Sequence, residues 1–137
     1  MKLSPHISLS FNGQCEEAFG FYEQCFKGKI EFLLRWGESP MASQAPAEWG
    51  SKILYGRLAI GDTEVVGADV LSEGYAQPSG FSILLNMDDL SEAERIFHAL
   101  AEGGRINMPL QKTFWAERYG GVTDRFGIPW EINCEKS

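Results

Sequence analysis

One order of elements is written twice along this chain, and that repeat constrains the fold more than any single motif. Residues 14–27, QCEEAFGFYEQCFK, place Cys15, Ala18, Phe19, Tyr22 and Phe26 at helical spacing, with acids near the start and Gly28 as a stop. Residues 90–102, LSEAERIFHALAE, repeat the design with Leu90, Ala93, Ile96, Phe97, Leu100 and Ala101 on one stripe, ending at Gly103-Gly104. Each helix follows an extended run (HISLSF; FSILLNM) and precedes another (KIEFLLRW; RINMPL). Two more strand-like runs then close each half: ILYGRLAI and TEVVGADVL joined by Gly61-Asp62, and KTFWAERYGGVTD and IPWEINC joined by Phe126-Gly127. Strand-helix-strand-strand-strand therefore occurs twice, with Tyr55-Gly56 standing where Tyr119-Gly120 stands in the second copy. The stretch 37–50, GESPMASQAPAEWG, breaks both periodicities, and 72–80, SEGYAQPSG, separates the halves.

With 137 residues, 44% of them hydrophobic, the chain has the size and apolar content of one ordinary domain. Nineteen acidic against 12 basic side chains give a net charge of -7 with no basic run, so nucleic acid and anionic membrane surfaces are poor partners. No apolar window is long enough for a membrane helix and Met-Lys-Leu-Ser-Pro-His lacks a signal-peptide core, so a soluble cytoplasmic protein is expected. Cys15, Cys25 and Cys134 form no C-x-x-C and lie among apolar residues, which reads as three buried thiols.

Alternation along each strand splits its residues between two faces. In the first strand Ile7, Leu9 and Phe11 oppose His6, Ser8 and Ser10; in the fifth, Phe81, Ile83, Leu85 and Met87 oppose Ser82, Leu84 and Asn86. In TEVVGADV, Val66, Ala68 and Val70 oppose Val65, Gly67 and Asp69; in the last strand, Trp130, Ile132 and Cys134 oppose Glu131 and Asn133. The apolar lists are expected under the helices. The other lists carry short polar groups, one His and a few acids rather than the long charged side chains of a solvated sheet, and such groups line small-molecule cavities. His6, Asp69 and Glu131 are therefore expected to face a cleft. A carboxylate at Glu131 has two explanations: neutralisation by Arg57, Arg118 or Arg125, or a working role as general base or ligand. Trp115, Tyr119, Trp130 and Phe114 are core candidates, one or two of which could wall a ligand site.

PHISLSFNGQCEEAFGFYEQCFKG, LAIGDTEVVGADV and LAEGGRINMPLQKTFWAERYGGVTDRFGIPWEIN together resemble the PhnB-like branch of the vicinal oxygen chelate superfamily, over about residues 4–134. That superfamily includes glyoxalase I, extradiol dioxygenases and bleomycin-binding resistance proteins. The resemblance implies an α+β fold: two βαβββ modules, about 4–71 and 80–135 of a single domain, forming an open barrel-like mixed sheet around a cavity, in a homodimer. It places the four metal-ligand positions of metal-dependent members at His6, Gly67, Ser82 and Glu131, of which only His6 and Glu131 can bind a divalent Zn, Ni, Mn or Fe ion. The strand faces and the aromatic candidates give Ser8, Ser82, Asn86, Trp115 and Tyr119 as expected ligand-binding residues, and in a metal-assisted enzyme Glu131 or Asp69 would move a proton. Three functions follow: a small-molecule-binding homodimer, a metal-assisted lyase, isomerase or dioxygenase using His6 and Glu131, and an antibiotic-sequestering protein without metal. Some similar sequences carry a ubiquinone-pathway methyltransferase label, yet no Gly-rich strand-to-helix turn for a nucleoside cofactor is present.

Overall fold

The computed structural model describes residues 1–136. Strands β1 (Ile7–Phe11), β2 (Lys29–Arg35), β3 (Ile53–Ile60) and β4 (Thr63–Asp69), with helix α1 (Cys15–Phe26), form a unit spanning Met1–Tyr75. Strands β5 (Ile83–Met87), β6 (Arg105–Gln111), β7 (Arg118–Thr123) and β8 (Pro129–Cys134), with helix α2 (Leu90–Ala101), form a second unit that begins at Ala76. The sheet orders are β1-β4-β3-β2 and β5-β8-β7-β6. In each the first and last strands of the unit run parallel and the remaining pairs are antiparallel. The doubled order legible in the sequence is thus a doubled topology. Among the described residues no helix is long and apolar enough to cross a membrane.

Each helix buries its apolar stripe on one face of its own sheet. Cys15, Ala18, Phe19, Tyr22 and Cys25 of α1 are buried, as are Leu9, Phe11, Ile53, Leu58 and Val65 of the first sheet. Ala93, Phe97 and Leu100 of α2 are buried, as are Ile83, Val122, Trp130 and Ile132 of the second sheet. At roughly 1.5–3 kcal/mol per large side chain, these two stripes are the main attraction holding helix to sheet. The three thiols are free and buried, as expected. Gly28 is not itself the left-handed stop of α1, which is Lys27 at φ 56°. Gly28 is glycine because a Cβ there would lie 2.4 Å from the Ala59 carbonyl oxygen.

Two expectations need correction. The run 112–124 is strand only over Arg118–Thr123, because Thr113 and Ala116 close a turn: Thr113 N–H donates to the Ala116 carbonyl and Ala116 N–H to Thr113 Oγ1. In β4 the faces are the reverse of those read from the sequence. Val65, Gly67 and Asp69 are buried, and a Cβ on Gly67 would lie 2.7 Å from the Phe19 ring of α1. Val66 and Ala68 occupy the helix-free face. Valine with glycine or alanine stands on each face of β4, and so does one acid, so alternation alone leaves the choice open; the bulk of Phe19 makes it, since Gly67 and its neighbour Gly56 admit that ring.

Candidate functional site

Asp69 follows from this correction. Its carboxylate is 1% exposed, and it accepts hydrogen bonds from the Cys15 N–H at the start of α1 and from the Ile53 N–H at the start of β3, each 2.8 Å. Both oxygens are committed to backbone donors that would otherwise be unsatisfied, so Asp69 ties a helix and a strand together. It does not face a cleft and is not placed to move a substrate proton. The same burial, followed by the nearby Asp69 and Glu16 charges, pushes the Cys15 thiol far above the usual cysteine range.

In the second unit, β8 buries Trp130 and Ile132 and turns Glu131 and Asn133 to the helix-free face, as the alternation predicts. Trp130 donates its indole N–H to Asp124 Oδ2 at 2.8 Å, while Asp124 Oδ1 accepts from the Phe126 and Ile128 N–H groups. The DRFG tetrad is therefore a turn organised by a buried carboxylate. It fixes the strand that carries Glu131.

Glu131 stands between Leu84 of β5 and Gly121 of β7. A Cβ on Gly121 would make only ordinary contact, 3.6 Å from the Trp130 carbonyl oxygen and 4.0 Å from Glu131 Cγ. Glu131 lines a cavity of about 230 Å³ with Ser82, Asn107, Met108, Tyr119, Gly121 and Trp130. Among the described residues its half-buried carboxylate has neither hydrogen bond nor ion pair. The candidate arginines are used elsewhere: Arg118 on Glu117, Arg125 on Glu102, and Arg57 over the Phe32 ring of the first unit.

Of the other residues singled out in the sequence, Ser82 and Tyr119 join Glu131 in this cavity, and Asn107, which pattern reading missed, hydrogen-bonds the Thr123 hydroxyl beside it. Asn107 sits at a bulge in β6, between Ile106 and Met108, where alternation gives no reliable face. Asn86 lies outside the cavity and accepts from Asn133 Nδ2 at 3.0 Å on the same face. Trp115 is 50% exposed, edge-on to Phe114 at 4.8 Å and to Tyr119 at 5.2 Å. Ser8 is exposed on the helix-free face of the first unit, in register with Val66.

His6 is exposed, just ahead of β1, with Nε2 3.1 Å from Ser4 Oγ. It lines a polar cleft of about 420 Å³ with Ser4, Glu31, Asp62, Thr63 and Glu64. The parallel registers Ile7↔Val65 and Ile83↔Trp130 correspond, so the first-unit counterpart of Glu131 is Val66, not Gly67. Val66 offers no donor atom, and Gly67 is turned under α1. Among the described residues no group of three or more His, Cys, Asp or Glu side chains is arranged to hold a metal ion. The residues present do not fit a resident catalytic ion of the three- or four-ligand kind.

The topology and these faces set the chain beside known proteins. A family model described as 3-demethylubiquinone-9 3-methyltransferase matches residues 3–133. The chain belongs to this PhnB-like family. It is 35% identical over 144 residues to protein YjdN of Escherichia coli strain K12, covering 99% of this chain and 97% of that one. The crystal structure of PA1353 from Pseudomonas aeruginosa matches with 44% identity, a TM-score of 0.82 and coverage of 98% and 100% of the two chains. A Bacillus cereus PhnB protein, putatively a 3-demethylubiquinone-9 3-methyltransferase, matches with 21% identity, a TM-score of 0.81 and coverage of 96% and 99%. At 13% identity and a TM-score of 0.66, a glyoxylase/bleomycin resistance protein/dioxygenase domain from Frankia sp. EAN1pec shares the fold over 99% of both chains. This PhnB-like chain therefore has the vicinal oxygen chelate fold that its sequence resembles.

Proposed function

We propose that this PhnB-like protein binds a small molecule on the helix-free faces of its sheets, as a homodimer, with the cavity around Glu131 as the principal site. The observation that carries this reading is the unpaired Glu131 carboxylate at the wall of a 230 Å³ cavity that also presents Ser82, Asn107 and Tyr119. Leaving a half-buried carboxylate unpaired lowers stability, and such a cost is tolerated where a ligand later supplies the partner. An acceptor-only group among hydroxyl and amide groups selects a ligand bearing an N–H or O–H donor. The volume is below the usual range of drug-sized sites, roughly 300–1,000 Å³, which points to a small metabolite.

Methyl transfer, the activity in the family's description, has no support in the local chemistry. The strand-to-helix connections are Asn12-Gly13-Gln14 and Asp88-Asp89, with one glycine between them, and neither makes the glycine-rich turn on which a nucleoside cofactor rests.

The test uses Glu131→Gln. A thermal-shift screen of amine- and hydroxyl-bearing metabolites against the wild-type protein should yield a ligand whose affinity falls at least about tenfold, roughly 1.4 kcal/mol, in the variant. The unliganded variant should be as stable as wild type or more so, because a neutral amide replaces an unpaired charge. Equal affinity in both proteins would overturn the reading. Stoichiometric Zn, Ni, Mn or Fe retained by the wild type and lost in Glu131→Gln would replace it with the metal-assisted alternative.

A further inference from the structure

Arg57 lies at the centre of the helix-free face of the first unit. In register across that sheet stand Ser8, Val66, Arg57 and Phe32, with Tyr55 two residues along β3 on the same side. The Arg57 guanidinium carbon is 5.3 Å from the Phe32 ring centroid. The Phe32 and Tyr55 rings are 6.0 Å apart and inclined at 55°, and each is left about two-fifths exposed, at 41% and 42%. Within this aromatic corner Arg57 Nε is buried and has no hydrogen-bond partner. The chain has seven more acidic than basic side chains, and Glu31 and Glu64 line the adjoining cleft, yet none of the described carboxylates pairs with this guanidinium.

A buried N–H donor left unmatched on a charged fork is costly, and here plentiful carboxylates have not been used to match it. We infer that Arg57, Phe32 and Tyr55 form a binding site for a carboxylate carried on an aromatic or other flat apolar body. This rests on the reading that the helix-free faces bind ligands, and it gives the first unit's face a ligand class of its own. The planar guanidinium offers a carboxylate two parallel hydrogen bonds through its two Nη groups, which unlike Nε are not buried, and neither an ammonium nor a lone backbone N–H can do so. Phe32 already holds the guanidinium plane by cation–π attraction, so little freedom remains to be lost on binding. The exposed ring surfaces of Phe32 and Tyr55, with Val66 alongside, would cover the apolar body. A single arginine on a chain with seven more acidic than basic side chains favours a monoanion over a phosphate dianion, which the excess negative charge repels more strongly.

The test follows the arginine Nε–Hε resonances of the ¹⁵N-labelled full chain during titration with 2-naphthoate, 2-naphthamide and 2-naphthyl phosphate. The Arg57 signal, assigned by its loss in Arg57→Lys, should shift with naphthoate, and naphthamide should bind at least about tenfold more weakly. Arg57→Lys, which keeps the charge and loses the fork, should weaken naphthoate to a similar degree, and Phe32→Leu should do so by several-fold with the backbone spectrum unchanged. Naphthoate affinity unchanged in both variants, a stationary Arg57 signal, or failure of naphthoate to bind at millimolar concentration would each overturn the inference. Tighter binding of naphthyl phosphate would overturn the choice of a carboxylate. Naphthamide binding equal to naphthoate would also sink the Arg57 site, whereas the Glu131 site falls only with its own variant.

Discussion

At the scale of single residues, two buried aspartates and one half-buried glutamate divide structure from function. Asp69 and Asp124 each spend both oxygens on donors from the chain itself: two backbone N–H groups for Asp69, and two backbone N–H groups plus the Trp130 indole for Asp124. Hydrogen bonds to a charged acceptor contribute about 1.5–3 kcal/mol each. Asp124→Ala should therefore lower the unfolding free energy in urea by about 3 kcal/mol or more, and Asp69→Ala by about 2 kcal/mol or more, while neither substitution removes a group that contacts ligand. An Asp69→Ala protein that keeps its stability but loses ligand affinity would return Asp69 to the site. The cysteines give a chemical counterpart: burial raises the Cys15 thiol well above its ordinary range, and burial followed by Glu117 raises Cys134. Thiolate is the reactive form, so iodoacetamide at pH 8 should leave both unmodified in the native chain and label them quickly in urea. Sequence reading recognised Glu131 as out of place in a core strand. It could not tell Asp69 from Glu131, because both alternate with apolar neighbours and only packing shows which face is covered.

The helices and strands show how closely local chemistry tracks local structure. Both helices begin and end within a residue of where their apolar spacing and flanking polar residues put them. Their starts are held differently. Asp89 caps α2 by accepting from the Glu92 N–H at 3.1 Å, and that bond, followed by the Ser91 hydroxyl, holds its carboxyl below the usual aspartate range. The start of α1 has the buried Asp69 and, on the surface, a forked pair from Arg35 to Glu16, whose hydrogen bond lowers the Glu16 carboxyl. A carboxyl lowered by folding adds stability above its unfolded value and loses it as pH falls through the folded one. Asp89→Ala should therefore cost stability at neutral pH, and the difference from wild type should shrink as the solution is acidified below the carboxylate range, as urea titrations at a series of pH values would show. Added salt should reduce the Glu16–Arg35 contribution and leave Asp69 nearly untouched, since only the first pair is exposed to counterions.

For the whole molecule, the unresolved demand is on its surface. Phe114 is 88% exposed and Trp115 50%, and the two rings are stacked edge-on beside Tyr119. Adjacent large aromatics left in water are more often found at contacts between chains than on a free surface. Trp115→Glu should shift the proposed homodimer to monomer in sedimentation equilibrium without changing the far-ultraviolet spectrum; a wild-type monomer at micromolar concentration would remove the dimer from the proposal. The amino-acid sequence by itself determined the doubled βαβββ order, the two helices, the buried thiols and the outward turn of Glu131. Each of these is written in local periodicity, in turn residues or in an acid set among apolar neighbours. Only the tertiary structure decided which face of β4 is covered, because the two faces are alike in composition, each with one acid among small or apolar residues, and the choice rests on where the Phe19 ring packs. Only it showed that Asp69 serves the backbone, that Val66 rather than Gly67 matches Glu131, and that Arg57 sits against Phe32 with no carboxylate. Those facts depend on register between strands distant in sequence, and no local pattern encodes which residues will meet across a sheet.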